Sequence, residues 1–533
     1  MSPRPTSPHR ALLALLLLIV LSSVSPAPVP AAPAALPTPL PAALATTGTA
    51  RSGSIFGNFV VYIGDFTLPG RFDLYSAPRG GTPVRLSSGL PDGEAAEYAS
   101  AGDRVVFSWF SEGRYGLYSA PLAGGPPTRL HPEYSSPDAG KDLRFTIAGS
   151  RVVFAVPQER REVGVLYSVP ITGGAPTRLS LALPDPGSGL AWSVRYVYVS
   201  DDNSTVAYTL ALNGGNQLLY TVPTAGGESS WINASGDSLV SRLSAIALAP
   251  NGSRVVYLTV VILSGGGSGV KLISVAANGG DRQELDSAAQ ISFQITGNNA
   301  RVVYFRSDDP FAQTGELNSV GIDGGAPTQL SPSVTMDFAI EPSGATVFFT
   351  PAGGSLQRVP TLGGAAQTVL AQGFANFSTL RFSAAGYAVF TASDGPNPAR
   401  LYSYPLAGGT ALPINDPAVS ALFLGDFRLA GERVVYFAIA AGGEPPQLYS
   451  VPVLGGASVK LSGAYEGGED FINALSTSDS ELLYGVGTRV IGQPLPLTRL
   501  LLVPVDGSSS PSLVNRAATD PELFKLHLPL LRR

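Results

Sequence analysis

The sequence predicts an all-β fold, a β-propeller built from about ten four-stranded blades, and three observations support this. First, close variants of the pattern L-Y-S-V-P-x-x-G-G-x-x-x-x-L recur along most of the 533-residue chain. Second, the turns of successive copies lie between 39 residues (324 to 363) and 53 residues (173 to 226) apart, which is the length of a blade. Third, each interval contains several short apolar segments bounded by turn residues, as is typical of strands.

Ten copies of the pattern can be aligned, and each closes with a glycine-containing turn. They begin at Leu74, Leu117, Leu166, Leu219, Leu401 and Leu448, and, in more divergent form, at Leu272, Leu317, Leu356 and Leu500. Ten units exceed the roughly four to eight blades that are usual for one ring. No linker interrupts the array, so one large ring and two smaller rings in tandem, divided near Asp286, are both compatible with the sequence.

Each unit contains four extended segments. The first is the least regular, as in residues 143–147. The second reads Arg-Val-Val-Phe or Arg-Val-Val-Tyr and lacks polar alternation, which indicates a strand covered on both faces; it begins at Arg104, Arg151, Arg254, Arg301 and Arg433. The third is the L-Y-S-V-P segment, followed by glycines that can supply the positive φ angles of a tight turn. The fourth, P-T-R-L-S in residues 176–180, has the polar alternation of an outer edge strand.

These segments resemble a known repeat family. Residues 249–257 (A-P-N-G-S-R-V-V-Y) and 341–349 (E-P-S-G-A-T-V-F-F) are similar to the S-P-D-G-x-x-I-x-F core of the WD40-like PD40 repeats. The following L-Y-S-V-P-x-x-G-G half is similar to the second half of those repeats. PD40 repeats build the propeller of TolB, so the resemblance, over about residues 54–516, implies that fold. TolB carries an α/β domain before its propeller, whereas a Pro/Ala-rich segment precedes the first repeat here, so the partner of TolB is not carried over.

The N-terminal residues 1–34 are interpreted as a signal peptide. Arg4, His9 and Arg10 precede an apolar run over residues 11–21, and small residues with possible cleavage points near Ala31 or Ala34 follow. The run is shorter than the ~18 residues of a membrane span. We therefore expect no transmembrane segment in the mature chain, and an exported protein that is extracellular, on the cell surface or periplasmic.

The remaining chain is divided into three parts. Residues 35–50 form a Pro/Ala-rich tether, residues 51–516 the propeller array, and residues 517–533 a C-terminal tail. The tail, which ends F-K-L-H-L-P-L-L-R-R, is interpreted as a strand that completes the first or last blade, as a sorting signal, or as a disordered end. The chain has no cysteine, so its stability must come from packing without disulfides.

Composition excludes several functions. Charged residues make up 14% of the chain and the net charge is −5, so the sequence has no basic footprint for nucleic acid. His131 is the one histidine inside the array and is interpreted as a solvated loop residue. No G-x-S-x-G elbow, clustered metal ligands or cofactor motif is present, so we expect no cofactor and no metal site.

The leading interpretation is a noncatalytic propeller that binds an unknown protein or cell-surface polysaccharide. The alternative is a propeller-type glycoside hydrolase or lyase with carboxylates at the central channel.

Strand parity predicts the binding face. In a four-stranded meander the first–second and third–fourth turns lie on one face of the ring, and the second–third hairpins and the connections between units lie on the other. The second set varies more in length and composition, and binding residues concentrate on such loops. Aromatic side chains exposed beside acids could anchor a protein or stack on sugars. The predicted binding residues are Trp109, Glu112, Tyr115, Glu133, Tyr134, Asp308, Asp309 and Tyr465.

Overall fold

A computed structural model describes most of residues 49–515. The segments outside the described residues within this range are 67–69, 136–144, 158–163, 182–191, 213–216, 236, 241–244, 263–267, 374–376, 394–399, 416–418, 421–426, 441–445, 465–470 and 488–496. The predicted signal peptide and the C-terminal tail also lie outside them. In the described part of the chain, no helix has the length and apolar character needed to cross a membrane.

The described strands follow one another in groups of four positions, numbered here as units 1 to 10 in chain order. Units 1 to 3 comprise β1 (Ala50–Phe56), β2 (Phe59–Gly64), β3 (Asp73–Pro78), β4 (Val84–Arg85); β5 (Glu94–Ala101), β6 (Arg104–Ser111), β7 (Arg114–Pro121), β8 (Thr128–Ser135); and β9 (Phe145–Ala148), β10 (Arg151–Pro157), β11 (Gly164–Pro170), β12 (Thr177–Arg178). Units 4 and 5 comprise β13 (Trp192–Val199), β14 (Thr205–Leu212), β15 (Gln217–Pro223), β16 (Ser230–Trp231); and β17 (Ser238–Leu239), β18 (Ile246–Leu248), β19 (Arg254–Ile262), β20 (Ser268–Ala276), β21 (Gln283–Ala288).

The second half of the array repeats this arrangement. Units 6 and 7 comprise β22 (Gln290–Ile295), β23 (Arg301–Ser307), β24 (Thr314–Gly321), β25 (Thr328–Ile340), β26 (Thr346–Pro351), β27 (Leu356–Pro360) and β28 (Gln367–Leu370), with β25 shared between the two units. A short 3-10 helix, Phe377–Thr379, precedes unit 8. Units 8 to 10 comprise β29 (Arg381–Phe382), β30 (Tyr387–Ala392), β31 (Arg400–Pro405), β32 (Leu412–Pro413); β33 (Val419–Ser420), β34 (Arg428–Ala430), β35 (Arg433–Ala440), β36 (Gln447–Pro452), β37 (Val459–Lys460); and β38 (Phe471–Thr477), β39 (Glu481–Gly487), β40 (Leu497–Pro504), β41 (Ser512–Leu513).

Within each unit the strands pair antiparallel in chain order. In unit 1, for example, Val61 of the second strand pairs with Ser54 of the first and Ser76 of the third. In units 5 and 9 the first position is divided between two short strands that pair with the same second strand. This repeated four-position meander is the arrangement predicted for a propeller blade, and the all-β propeller fold is confirmed.

The hydrophobic core lies between neighbouring units. Successive residues of a second strand point to opposite faces, so Val60 packs toward unit 10 while Val61 packs toward unit 2, where it meets Phe107. The same pattern recurs at each seam between consecutive units in the described part of the chain. The paired valines of the R-V-V-Y motif are therefore apolar because both faces of the strand are covered.

The array also closes on itself. Val60 and Tyr62 of unit 1 share a core with Leu483 and Leu500 of unit 10. Units 5 and 6 share another core, in which Val256 packs with Tyr304. This core spans the position near Asp286 at which two tandem rings would be divided. This order of contacts is that of one closed array and differs from two tandem rings of five units, in which unit 1 would pack on unit 5.

A buried arginine–serine pair joins the second and third strands. Arg104 donates from Nε to Ser119 Oγ over 2.7 Å and from Nη2 to the Ser119 carbonyl oxygen over 3.1 Å. The same Nε–Oγ bond occurs at Arg151–Ser168, Arg254–Ser274, Arg301–Ser319 and Arg433–Ser450. The arginine of R-V-V-Y and the serine of L-Y-S thus form one structural element, because a partly buried guanidinium requires acceptors.

The glycine turns interlock neighbouring units. Gly226 has φ +97°, and a Cβ there would lie 2.5 Å from Thr177 Cγ2 of the preceding unit. Gly173 meets Thr128, and Gly363 meets Thr328, in the same way. The residue after the third-strand proline is also buried against the preceding unit, as at Leu122, Ile171, Val453 and Val505. Glycine is required here by close approach as well as by backbone conformation, and much of this face serves to hold the units together.

Candidate binding surface

Trp109 and Tyr115 are not exposed loop residues, so this expectation is wrong. The β6–β7 hairpin turns within Glu112 and Gly113, where Ser111 pairs with Arg114, and both aromatic residues therefore lie on strands. Trp109 is 1% exposed, and its Nε1 donates to the Pro91 carbonyl oxygen over 3.2 Å. Tyr115 is 5% exposed and packs toward unit 3. Neither ring can meet a partner directly.

Glu112 is exposed and occupies the turn with φ +50°, a conformation more often adopted by glycine or asparagine. Glu133 and Tyr134 lie on β8, where Tyr134 pairs with Tyr115, and the structure does not describe their side chains. Tyr465 lies outside the described residues. For these residues a binding role stays a prediction.

His131 differs from the solvated loop residue expected from the sequence. It belongs to β8, which continues past the T-R-L segment and pairs His131 with Leu117. Its ring lies 5.1 Å from the ring of Phe154 and 5.6 Å from that of Tyr167. The fourth strand of unit 2 is long enough to place this histidine against unit 3, which its sequence pattern did not indicate.

Asp308 and Asp309 do lie on the predicted face, in the hairpin between β23 and β24. Asp309 Oδ1 accepts from the Phe311 amide over 2.9 Å, which shapes the turn. The Asp308 side chain is 81% exposed and Phe311 is 86% exposed. Phe311, which is not among the predicted binding residues, is thus an exposed aromatic residue beside acids.

Acidic side chains surround Arg306 at the base of this hairpin. Its guanidinium lies 2.9 Å from Asp308, 3.4 Å from Glu316 and 3.4 Å from Asp286 of unit 5. Burial alone would lower the pKa of Arg306, but Asp286, Asp308 and Glu316 raise it above its ordinary value. With Asp309 nearby, carboxylates outnumber the one guanidinium, so the cluster carries a net negative charge.

An apolar strip lies across the seam in unit 5. Val256 and Leu258 of β19 pack on unit 6, so Val260 and Ile262 lie on the same face of the strand. Val260 is 43% exposed and Ile262 is 85% exposed. β19 ends at Ile262, eight residues after its arginine, whereas β23 ends at Ser307, six residues after Arg301. We call Val260, Ile262, Phe311 and the carboxylates around Arg306 the 5–6 seam.

Two carboxylates of units 1 and 2, Asp73 and Glu94, are paired with arginines. Asp73 of unit 1 is fully buried, accepts from Ser87 Oγ over 2.7 Å and lies 3.4 Å from Arg71. Burial raises the pKa of Asp73, while Ser87 and the nearby arginines oppose the rise. On the first strands, Glu94 pairs with Arg51 at 3.0 Å. Within the described residues, no group of three His, Cys, Asp or Glu side chains could hold a metal ion.

The chain was compared with known families, curated proteins and solved structures. No family model matches the chain. No curated protein matches it either. Similar solved structures include a protein described as TolB from Agrobacterium tumefaciens (17% identity, 45% of this chain and 81% of that one, TM-score 0.25). The propeller domain of the Trilobed protease from Pyrococcus furiosus is also similar (11% identity, 70% and 99%, TM-score 0.33). So is an oligogalacturonate lyase in complex with manganese (12% identity, 68% and 98%, TM-score 0.33).

The antiparallel strand order and the cores between consecutive units in the described residues identify the chain as a multi-bladed β-propeller. The fold alone therefore does not decide whether this chain is an enzyme, since function depends on the site that a fold carries.

Proposed function

We propose that the chain is an exported, noncatalytic β-propeller that binds a protein or a cell-envelope polymer through the face of its second–third hairpins. The observation that carries this proposal is the contrast between the two faces. The glycines of the turns approach the neighbouring units, and the exposed apolar residues of these turns, Leu362 and Leu454, are aliphatic. The hairpin face instead presents the aromatic Phe311 beside Asp308 and Asp309 in the same loop. An exposed aromatic residue on a rigid scaffold is a typical anchor for binding.

Charge substitutions on the two faces test this proposal. Full-length protein is incubated with isolated bacterial envelopes, and the bound fraction is measured by sedimentation. Glu112→Lys and Asp309→Lys change exposed residues of the hairpin face, and Ala123→Lys and Ala407→Lys change exposed residues beside the glycine turns. We expect the first pair to reduce binding and the second pair to leave it unchanged. Equal losses from both pairs would contradict the assignment of the face.

Catalysis and export are tested separately. Incubation with a panel of polysaccharides should release no reducing ends above background, and sustained release would establish the carbohydrate-active alternative in place of the noncatalytic proposal. When the full chain is expressed in a bacterium, we expect the protein in the periplasm or the medium, with a new N-terminus near Ala31 or Ala34. Retention in the cytoplasm with residues 1–34 intact would contradict the proposed export.

A further inference from the structure

The 5–6 seam combines an apolar wall and an acidic wall. The exposed wall of unit 5 consists of Val260 and Ile262, because β19 extends beyond the end of β23. Across the seam, unit 6 carries Asp308 and Glu316, which lie with Asp286 of unit 5 around Arg306, and the hairpin between β23 and β24 carries the exposed Phe311. Large apolar side chains that remain exposed on both units of one seam mark a candidate interaction site.

The net charge of the seam indicates the chemistry of the partner that it fits. The carboxylates leave net negative charge beside the apolar side chains, which disfavours an anionic lipid surface or an acidic polysaccharide. A neutral polysaccharide would require flat aromatic platforms. Phe311 is the aromatic residue of the seam, and Val260 and Ile262 offer no ring for stacking. A protein segment that carries both apolar and cationic side chains complements both walls.

We propose, as a refinement of the proposed binding function and resting on it, that the 5–6 seam docks a polypeptide segment in which apolar residues are flanked by lysine or arginine. Val260, Ile262 and Phe311 contact the apolar side chains. Asp308 and Glu316, which each have part of their carboxylate surface exposed, pair with the cationic groups. Arg306 pairs with these carboxylates, which fixes their positions and reduces the net negative charge of the seam.

Selection from a random dodecapeptide display library on immobilised full-length protein tests the chemistry of the partner without assuming its identity. We expect enriched sequences to place lysine or arginine next to leucine, isoleucine or phenylalanine. The most enriched peptide is then synthesised, and its affinity is measured by fluorescence polarisation. Its affinity should fall about tenfold or more with Ile262→Ser/Phe311→Ser and with Asp308→Asn/Glu316→Gln, and it should weaken as salt concentration rises.

The matched control is Leu362→Ser/Leu454→Ser. These leucines are 74% and 67% exposed but lie in glycine turns on the opposite face, so this variant should bind the peptide normally. Circular dichroism and melting curves verify that each variant is folded. The proposal is overturned if no sequence is enriched, if enriched sequences lack cationic residues, or if Ile262→Ser/Phe311→Ser binds as tightly as the unchanged protein.

Two further measurements separate the seam from the wider proposal. The protein should not float with vesicles of phosphatidylglycerol and phosphatidylcholine. If the unchanged protein floats with the vesicles and Ile262→Ser/Phe311→Ser does not, the seam binds a membrane and the peptide proposal is overturned. If envelopes bind this variant as well as the unchanged protein, the seam is not the docking site although the proposed binding function stands. If Glu112→Lys and Asp309→Lys act no differently from the glycine-face variants, the wider proposal fails.

Discussion

An ion pair lies across the closing seam, and its polarity is the reverse of that at an interior seam. In the seam of units 5 and 6, Arg254 at the start of a second strand lies 3.0 Å from Asp323 in the glycine turn of the next unit. In the closing seam, Glu481 occupies the arginine position and Arg79 the turn position, with 2.9 Å between Nε and Oε2. We predict that reversing either charge opens this seam and that reversing both restores it.

The polarity of the seam between units 9 and 10 supports this interpretation. There Arg433 lies at the start of the second strand and Asp506 in the following turn; the Ser508 amide chiefly, and Arg433 in addition, lower the pKa of Asp506. The first and last units therefore carry charges that suit each other and not these two interior seams. Arg79 would meet a like charge beside Arg433, and Glu481 would meet one beside Asp506.

The expected loss of stability follows from the solvent exposure of Arg79 and Glu481. The side chains of Arg79 and Glu481 are 35% and 17% exposed, so the pair lies between a surface ion pair, worth up to about 1 kcal/mol, and a buried pair, whose disruption costs roughly 3 kcal/mol or more. We expect Arg79→Glu and Glu481→Arg each to destabilise the seam by about 2 kcal/mol, since each places like charges together. The double reversal should cost less than about 1 kcal/mol.

Hydrogen exchange at the amides of β1 and β38 measures opening of this seam directly. A loss of about 2 kcal/mol corresponds to about thirtyfold faster exchange by local opening. Amides of β19, far from the closing seam in the order of units, serve as the internal control and should be unchanged. The reasoning is refuted if the single reversals leave β1 exchange unaltered, or if the double reversal exchanges as fast as either single variant.

The contribution of Glu481 to the stability of the protein depends on pH in a defined direction. Burial raises the pKa of Glu481 from its ordinary value of 4.5, and Arg79 opposes that rise. The folded state thus keeps a proton that the unfolded chain has released, and Glu481 lowers stability as pH rises from 4.5 through its folded pKa. Arg79→Ala removes the opposing charge and raises this pKa further. Its destabilisation should therefore be small in acid and grow as pH rises above the ordinary carboxyl value.

Two other predictions follow from the packing between units. Gly226→Ala should destabilise the protein by about 1–3 kcal/mol, because a Cβ would lie 2.5 Å from Thr177 and φ is +97°; Gly57→Ala, with a positive φ but an open site, is the control, and urea denaturation is the measurement. Removal of the chain from Gly431 onward takes away unit 10 and all of unit 9 except β33 and β34; it should lower the melting temperature of the whole remaining chain, because it leaves the core face of unit 1 uncovered. A sharp transition at the full-length temperature would contradict this.

The repeated pattern of the sequence was sufficient to predict the fold. The R-V-V-Y and L-Y-S motifs specify strands two and three, and their apolar runs indicate burial on both faces. The roles of the polar residues within the motifs were not apparent. The Arg104–Ser119 bond and the approach of Thr177 to Gly226 connect residues that are distant in sequence. The recurrence of the motifs shows the approximate length of the repeat. It does not show which polar residues pair, because the pairing depends on the register between strands.

The candidate site was harder to predict because exposure at the hairpin face depends on the neighbouring unit. Trp109 and Tyr115 lie at the hairpin end of their strands, yet they are buried because the connection at Pro91 and strand β10 extend far enough to cover them. Ile262 lies eight residues after its arginine and is exposed, because β23 continues only six residues after its own. The residue type at a hairpin end therefore does not determine its exposure. Its exposure depends on how far the adjacent hairpin or the connection between units extends, and the lengths of both can be read from a sequence once the repeats are aligned unit by unit.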